Sequence, residues 1–280
     1  MKRNVRILLI TAILFCNCIV AKGQTKTEWV VSVGGSIPMG SFSSVEYDAV
    51  KGITDFGLIV DDTKGGAGTG FNVGIEMMYP LQVNNLKFTT SLDIHYNGLV
   101  QKAKQLMNDQ CTYLLNLWNQ EIIDAGETLL SSYYAVDKYA KYINIPLIIG
   151  LNYSLPLFSD MKIFTEVGVG MNLRFISAWK LSGRINYMFS DYSEDTWLQV
   201  KQKLSYNTVG SFAFKFGIGC NLTSRLTLSM WYYNFGKGDV SIKVLTENSA
   251  EYVKPTTTIH NTTLGSIIPS VCVLKLGICL

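Results

Sequence analysis

From Leu86 to Asn97 the chain reads LKFTTSLDIHYN, and its character changes at every step. Leu86, Phe88, Thr90, Leu92, Ile94 and Tyr96 share one parity, while Lys87, Thr89, Ser91, Asp93, His95 and Asn97 share the other. Successive side chains of a β-strand point to opposite faces, so this period of two sets an oily face back to back with a hydrophilic one. No helix built on this stretch would separate the two sets, which makes it a strand lying between apolar and polar surroundings.

The same alternation recurs through the chain and marks eight strands. Trp29, Val31, Val33 and Ile37 form the apolar face of the first, and Phe71, Val73, Ile75, Met77 and Tyr79 that of the second. Leu86–Asn97 is the third. Ile143 to Tyr153 is the fourth, where Pro146 removes one ladder donor as a strand end or bulge tolerates. Ile163 to Phe175, Phe212 to Leu222, Leu226 to Tyr232 and Cys272 to Leu280 complete the set, with Trp231 and Tyr233 blurring the inner face of the seventh.

Connections between these strands alternate strictly between long and short. Pro80–Asn85, Ser154–Asp160 and Thr223–Arg225 are tight turns, whereas Pro38–Thr69, Leu99–Lys138, Ile176–Gly210 and Gly236–Ile267 are long. Within the second long connection, Ala103, Leu106, Met107, Cys111, Leu114, Leu115, Trp118 and Ile122 recur at three and four, the spacing of an amphipathic helix. Such a helix serves as a lid or partner surface, or packs over a barrel mouth, and packing is the expectation. Parts of the third connection are expected to prolong the flanking strands. The fourth is expected to hold a hairpin through Ser241–Leu245 and Thr256–Ile259.

Alternation alone also suits a soluble barrel that keeps its oily side inward. Three features favour lipid outside: the alternation of long and short connections, the aromatic residues at strand ends, and the glycines on the polar face. Trp29, Tyr79 and Tyr153 would ring one rim as an aromatic girdle, and Tyr96, Phe175, Phe212 and Tyr232 the other. Gly34, Gly74, Gly150, Gly168, Gly170, Gly217, Gly219 and Gly277 all fall on the polar face, which a crowded narrow lumen explains and a solvent-facing surface does not. The expected fold is all-β, a transmembrane up-and-down antiparallel β-barrel of about eight strands, with short periplasmic turns and long external loops.

The N-terminus carries Lys2, Arg3, Arg6 and Lys22, an apolar run from Ile7 to Val20, and Ala21-Lys22-Gly23 as a small-x-small site. It reads as a cleaved signal peptide over residues 1–23, followed by the outer-membrane barrel domain over 24–280. The formal charge of +3 from 24 basic and 21 acidic residues belongs to that segment; without its four cations, 20 basic residues face 21 acidic ones, a formal charge of −1. Nothing in that balance suits nucleic acid. Beyond Cys16 and Cys18, the cysteines Cys111, Cys220, Cys272 and Cys279 fall in separate strands and a loop, and are expected to be free.

Inside the barrel the polar face brings Glu76, Asp93, Glu166, Lys215, Lys275, Arg174 and Lys162 into a lumen that eight strands fill with side chains. Unpaired ions there are costly, so a salt-bridge network is expected around Glu76, Glu166, Lys215 and Lys275; an ion or proton path is the alternative. Asp93 and His95 share the inner face, an arrangement a mouth-located hydrolase could use, but a hydrogen-bonded lumenal histidine is the expectation. Two histidines and scattered cysteines give no metal spacing, and no cofactor is expected. Gly65-Gly66-Ala67-Gly68-Thr69-Gly70 lacks the following Lys-Ser/Thr of a phosphate loop and is expected as a flexible loop.

Gly34-Gly35-Ser36-Ile37-Pro38-Met39-Gly40-Ser41-Phe42, Tyr142-Ile143-Asn144-Ile145-Pro146-Leu147 and the terminal alternating strand together give a chain that resembles the Bacteroidetes outer-membrane β-barrel families, porin-like or PorT-like, of the same architecture as the OmpA transmembrane domain. The resemblance covers Trp29 to Leu280. Such families usually finish on an aromatic residue, whereas this chain has Leu280. The resemblance implies a bacterial outer-membrane location, surrounding outer-membrane lipid and handling by the barrel assembly machinery. The functional expectation is a non-enzymatic structural or binding protein, an accessory to an envelope process, that meets an unidentified external or envelope protein through its long loops. The alternatives are a small channel or transport protein and a barrel-mouth hydrolase.

Overall fold

The computed structural model describes residues 27–45, 65–158, 161–188, 195–250 and 253–280, and gives the backbone alone for residues 253 and 262–267. The segment read as a signal peptide, with Cys16 and Cys18, lies outside the described residues, as does 46–64 of the first long connection.

Eight strands close into a barrel: β1 (Glu28–Met39), β2 (Ala67–Pro80), β3 (Leu86–Leu99), β5 (Tyr142–Pro156), β6 (Lys162–Ile176), β9 (Val209–Asn221), β10 (Leu226–Asn234) and β13 (Ser270–Cys279). Every seam is antiparallel and each strand pairs with its neighbours in the order of the chain, β13 returning to β1 with Val30 opposite Cys279 and Met39 opposite Ser270. This is the up-and-down barrel that the alternation predicts. At Pro146 the β3–β5 ladder lapses between the pairs Leu92/Leu147 and His95/Asn144 and resumes unshifted, so the missing donor interrupts the seam without moving its register.

The long connections are more ordered than loops. After β3 comes helix α1 (Gln101–Asp124), then β4 (Thr128–Lys138); β7 (Trp179–Met188) and β8 (Asp195–Tyr206) lie between β6 and β9, and β11 (Gly238–Ala250) and β12 (Val253–Ile267) between β10 and β13. These five strands form one antiparallel sheet in the order β12-β11-β8-β7-β4. Its seams prolong those of the barrel. Arg174 pairs with Val209 in the barrel, and five residues on, Trp179 pairs with Leu204. Tyr142 pairs with Ile176, and four residues beyond them Lys138 pairs with Lys180. Phe214 pairs with Asn234, and Tyr206 with Ile242. Five of the eight barrel strands thus run on, after breaks of a few residues, as a wall standing above one side of the mouth.

Helix α1 lies on the inner side of this wall. Met107, Cys111 and Leu114 are buried, and Ala103, Leu115 and Trp118 pack against the same cluster as Tyr134, Trp179, Leu181 and Leu204. The helix stops where Gly126, at φ 83°, supplies the left-handed residue of a C-terminal cap; the amides of Gly126 and Glu127 donate to the carbonyls of Ile123 and Ile122, closing the last turn. The Gly65–Gly70 run, expected as a flexible loop, is instead strand from Ala67 onward. Its preceding glycines are tied down by Gly65 N–H to Ser41 O at 2.9 Å and Gly66 N–H to Ser44 O at 2.9 Å.

The barrel is inside out relative to a soluble protein. Phe212 is 61% exposed and Val167 58%, while Glu166 is 1% exposed and His95 is wholly buried. Exposed apolar side chains encircle the barrel on every strand, far more than the few hundred Å² that a soluble monomer tolerates. On β6 they run from Ile163 to Phe175, which at ~3.3 Å per residue and a tilt of ~40° is roughly 30 Å tall. That is the thickness of a bilayer's hydrocarbon core, so the barrel is a membrane-spanning one.

Candidate functional site

The lumen and the wall above it are the two places where this chain gathers chemistry. In the lumen, Lys215 Nζ lies 2.6 Å from Glu76 Oε2 and 2.6 Å from Glu166 Oε1. Thr89 Oγ1 donates to Glu166 Oε1 at 3.1 Å and Asn152 Nδ2 to Glu166 Oε2 at 3.2 Å. The Lys215 ammonium also sits 4.7 Å from the centre of the Trp231 ring, a cation on an aromatic face.

A second knot lies beside the first. Lys275 Nζ is 2.5 Å from Asp93 Oδ1 and donates to Tyr233 Oη at 2.7 Å, while that hydroxyl donates to Asp93 Oδ2 at 3.0 Å. Asn72 Nδ2 lies 3.2 Å from His95 Nε2. The His95 ring meets Tyr233 and Phe235 edge-on, with centroids 4.5 and 4.9 Å away. His95 is closed in by these rings and wholly buried. Arg174 is buried toward the wall end of β6, where its guanidinium donates to Gly236 O at 3.1 Å. The three carboxylates Glu76, Asp93 and Glu166 are matched in number by Lys215, Lys275 and Arg174.

Of the seven charged residues expected in the lumen, Lys162 is the exception: it is exposed at the start of β6, on the rim beside the short turns. Trp231 and Tyr233 belong inside, 4% and 0% exposed, and take part in both knots. Their parity on β10 was the signal, since both fall with the inward Thr227 and Ser229. The lumen is tight enough to explain the inward glycines. A Cβ on Gly217 would come within 2.5 Å of the Trp231 ring, and one on Gly74 would collide with the Asp93 carboxylate. On the turn side, a cavity of about 40 Å³ lined by Glu76, Asp93, Ser91 and Lys275 among others has room for a few waters and no more.

The girdle residues lie at both ends of the apolar belt. Trp29, Tyr79 and Tyr153 stand at the short-turn end, and Tyr96, Phe175, Phe212 and Tyr232 at the wall end. Tyr96 stacks on Phe71 at 5.0 Å and has Lys141 Nζ 5.4 Å over its ring. Cys111, Cys220, Cys272 and Cys279 are free thiols. Among the described residues no group of three His, Cys, Asp or Glu side chains is placed to hold a metal ion. The other histidine, His260, lies in the fourth long connection and is exposed on β12.

The wall offers a polar outer face and a buried inner one. Tyr134 on the inner side donates to Gln202 Oε1 at 2.9 Å and meets Trp118 of α1 edge-on at 5.0 Å. Burial there pushes the Cys111 thiol up to about 12 and raises the Tyr134 phenol as well. On the outer face, Lys180, Lys201 and Lys203 line a shallow groove of about 330 Å³.

No protein-family profile and no curated protein matches this chain. Among solved structures it is similar to Ail, the attachment invasion locus protein of Yersinia pestis, at 10% identity and a TM-score of 0.35 over 91% of this chain and 99% of that one. It is similar also to the outer membrane protein OprG from Pseudomonas aeruginosa, at 11% identity and a TM-score of 0.38 over 92% of this chain and 98% of that one. Neisserial surface protein A matches at 11% identity and a TM-score of 0.33, over 92% and 99%. Likeness at this level carries no function across.

Proposed function

We propose that this protein is a bacterial outer-membrane barrel of the porin-like, PorT-like kind that works as a non-enzymatic binding or accessory protein of the envelope, its long connections on the external side and its short turns in the periplasm. The observation that carries this reading is the wall: five barrel strands continue past the lipid belt in register, which holds a broad surface rigidly outside the membrane. Strand-borne surfaces present side chains more accurately than loops do, and no conduction pathway needs such a structure.

The lumen supports the same reading. Its charges are taken up in ion pairs and hydrogen bonds that join seven of the eight strands, an arrangement that stiffens a barrel. Reconstitution in planar bilayers tests it. The expected record shows no steady conductance from the folded protein, identified by heat-modifiable gel migration. A steady conductance that Glu76→Gln abolishes would replace the binding role with that of a small channel.

A further inference from the structure

The outer face of the wall changes chemistry just above the lipid belt. Phe175 is the last exposed apolar side chain of β6, and five residues on, β7 turns Lys180 outward. Lys180 is the register partner of Lys203 on β8 and of Lys138 on β4. Three lysines therefore stand side by side on adjacent strands, with backbones about 5 Å apart. Like charges directly opposite on antiparallel strands repel, and among the described residues no carboxylate pairs with any of the three. Lys201 adds a fourth cation on the same face, opposite Glu247. The groove that Lys180, Lys201 and Lys203 line is edged also by Glu247 and by Asp137, which accepts from the Ser182 hydroxyl at 2.8 Å, so the lysines outnumber the carboxylates on this face.

Five residues of tilted strand lift this row roughly 12 Å above the Phe175 ring, and lysine stems reach downward along apolar surface while their ammonium groups stay in water. That height is the polar layer just outside a hydrocarbon core about 30 Å thick. The exposed parity changes at the break, from odd positions on β6 to even ones on β7. The wall's other face is covered by α1 together with Phe42 and Tyr142 of the mouth, so the lysine row looks away from the barrel axis and the nearest anions to it are those of the surrounding leaflet.

We propose that Lys138, Lys180, Lys203 and Lys201 form a binding site for the phosphate groups of anionic lipid headgroups, holding the wall against the membrane surface. The row of like charges, unfavourable by itself, becomes favourable when phosphates lie along it. This assignment rests on the reading of the barrel as embedded in lipid, which flotation of each variant with vesicles reports separately, while heat-modifiable migration reports that the barrel is folded.

The protein in non-ionic detergent is titrated with a diphosphorylated glycolipid and with its dephosphorylated form, and retained lipid is read by native mass spectrometry. The double variant Lys180→Gln with Lys203→Gln is compared with Lys162→Gln with Arg225→Gln, an equal charge change beside the short turns. The expected result is selective retention of the phosphorylated lipid, weakened tenfold or more in the wall variant, at about a factor of several per lysine, and unchanged in the other. Equal retention by both variants, or of both lipids, overturns the proposal. A parallel titration with soluble tripolyphosphate separates the sources: tighter binding of that ion than of the lipid through the same lysines assigns the site to a soluble anion and overturns the lipid assignment.

Discussion

Lys215 reaches two carboxylates at once, and its removal would leave Glu76 and Glu166 facing each other across a lumen with little water. Breaking a buried pair by deleting one partner costs about 3–5 kcal/mol. Lys215→Met is therefore expected to lower the unfolding free energy read from urea titration in vesicles by that amount, and Glu76→Gln by less, because Lys215 keeps Glu166. Equal midpoints for the two variants and the parent would show that the knot adds nothing to stability. Cys111 makes a second test outside the membrane. Its thiol is raised to about 12 by burial from an ordinary 9.0. A group shifted upward gives its full stabilisation below its unfolded value, so this contribution is complete below pH 9.0 and fades as pH climbs toward 12. Cys111 is expected to resist iodoacetamide at pH 8, as read by intact mass, and to react once urea opens the wall; rapid alkylation of the folded protein would place the helix elsewhere.

Packing of α1 on the inner side of the wall holds the two elements together, and Leu114 is one of its three buried side chains. Leu114→Ala, at about 2–5 kcal/mol for a buried leucine, is expected to free α1 for proteolysis while heat-modifiable migration of the barrel stays unchanged; joint loss of both would make wall and barrel one cooperative unit. The helix was legible in the sequence because its apolar positions from Ala103 to Ile122, with Met107, Cys111 and Leu114 buried at their middle, keep helical spacing. The barrel strands were legible because one parity faces lipid throughout. β4 was not, since shifts between Leu129 and Ser131 and between Val136 and Lys138 change its parity twice in eleven residues. The hairpin expected around Ser241–Leu245 and Thr256–Ile259 is present, with Leu245 opposite Ile259. The register that joins β4, β7, β8, β11 and β12 into one wall could not be read, because it is set by seams between segments far apart in the chain. The lumenal knots were half legible: parity named the charged residues, but Asn72, Thr89, Asn152 and Tyr233 enter as neighbours across strands.

At the scale of the whole molecule, the exposed surface runs from lipid into water, and its two zones obey opposite rules. Val169 pairs with Ile149 and Phe214 in the middle of the belt, and all three are exposed. Ser182 lies further along, half-buried on the lysine-bearing face of β7, between Ala135 and Lys201. An arginine at the bilayer midplane of a barrel costs about 2–4 kcal/mol, whereas a surface substitution in water usually stays within about 0.5 kcal/mol. Val169→Arg is thus expected to lower stability in vesicles sharply and Ser182→Arg hardly at all, both read from urea unfolding followed by tryptophan fluorescence. In a soluble barrel the two sites would both face water and the two substitutions would cost the same. The difference between them measures directly where hydrocarbon ends along the wall, and it is expected to fall between Phe175 and Lys180, where the exposed side chains turn from rings to ammonium groups.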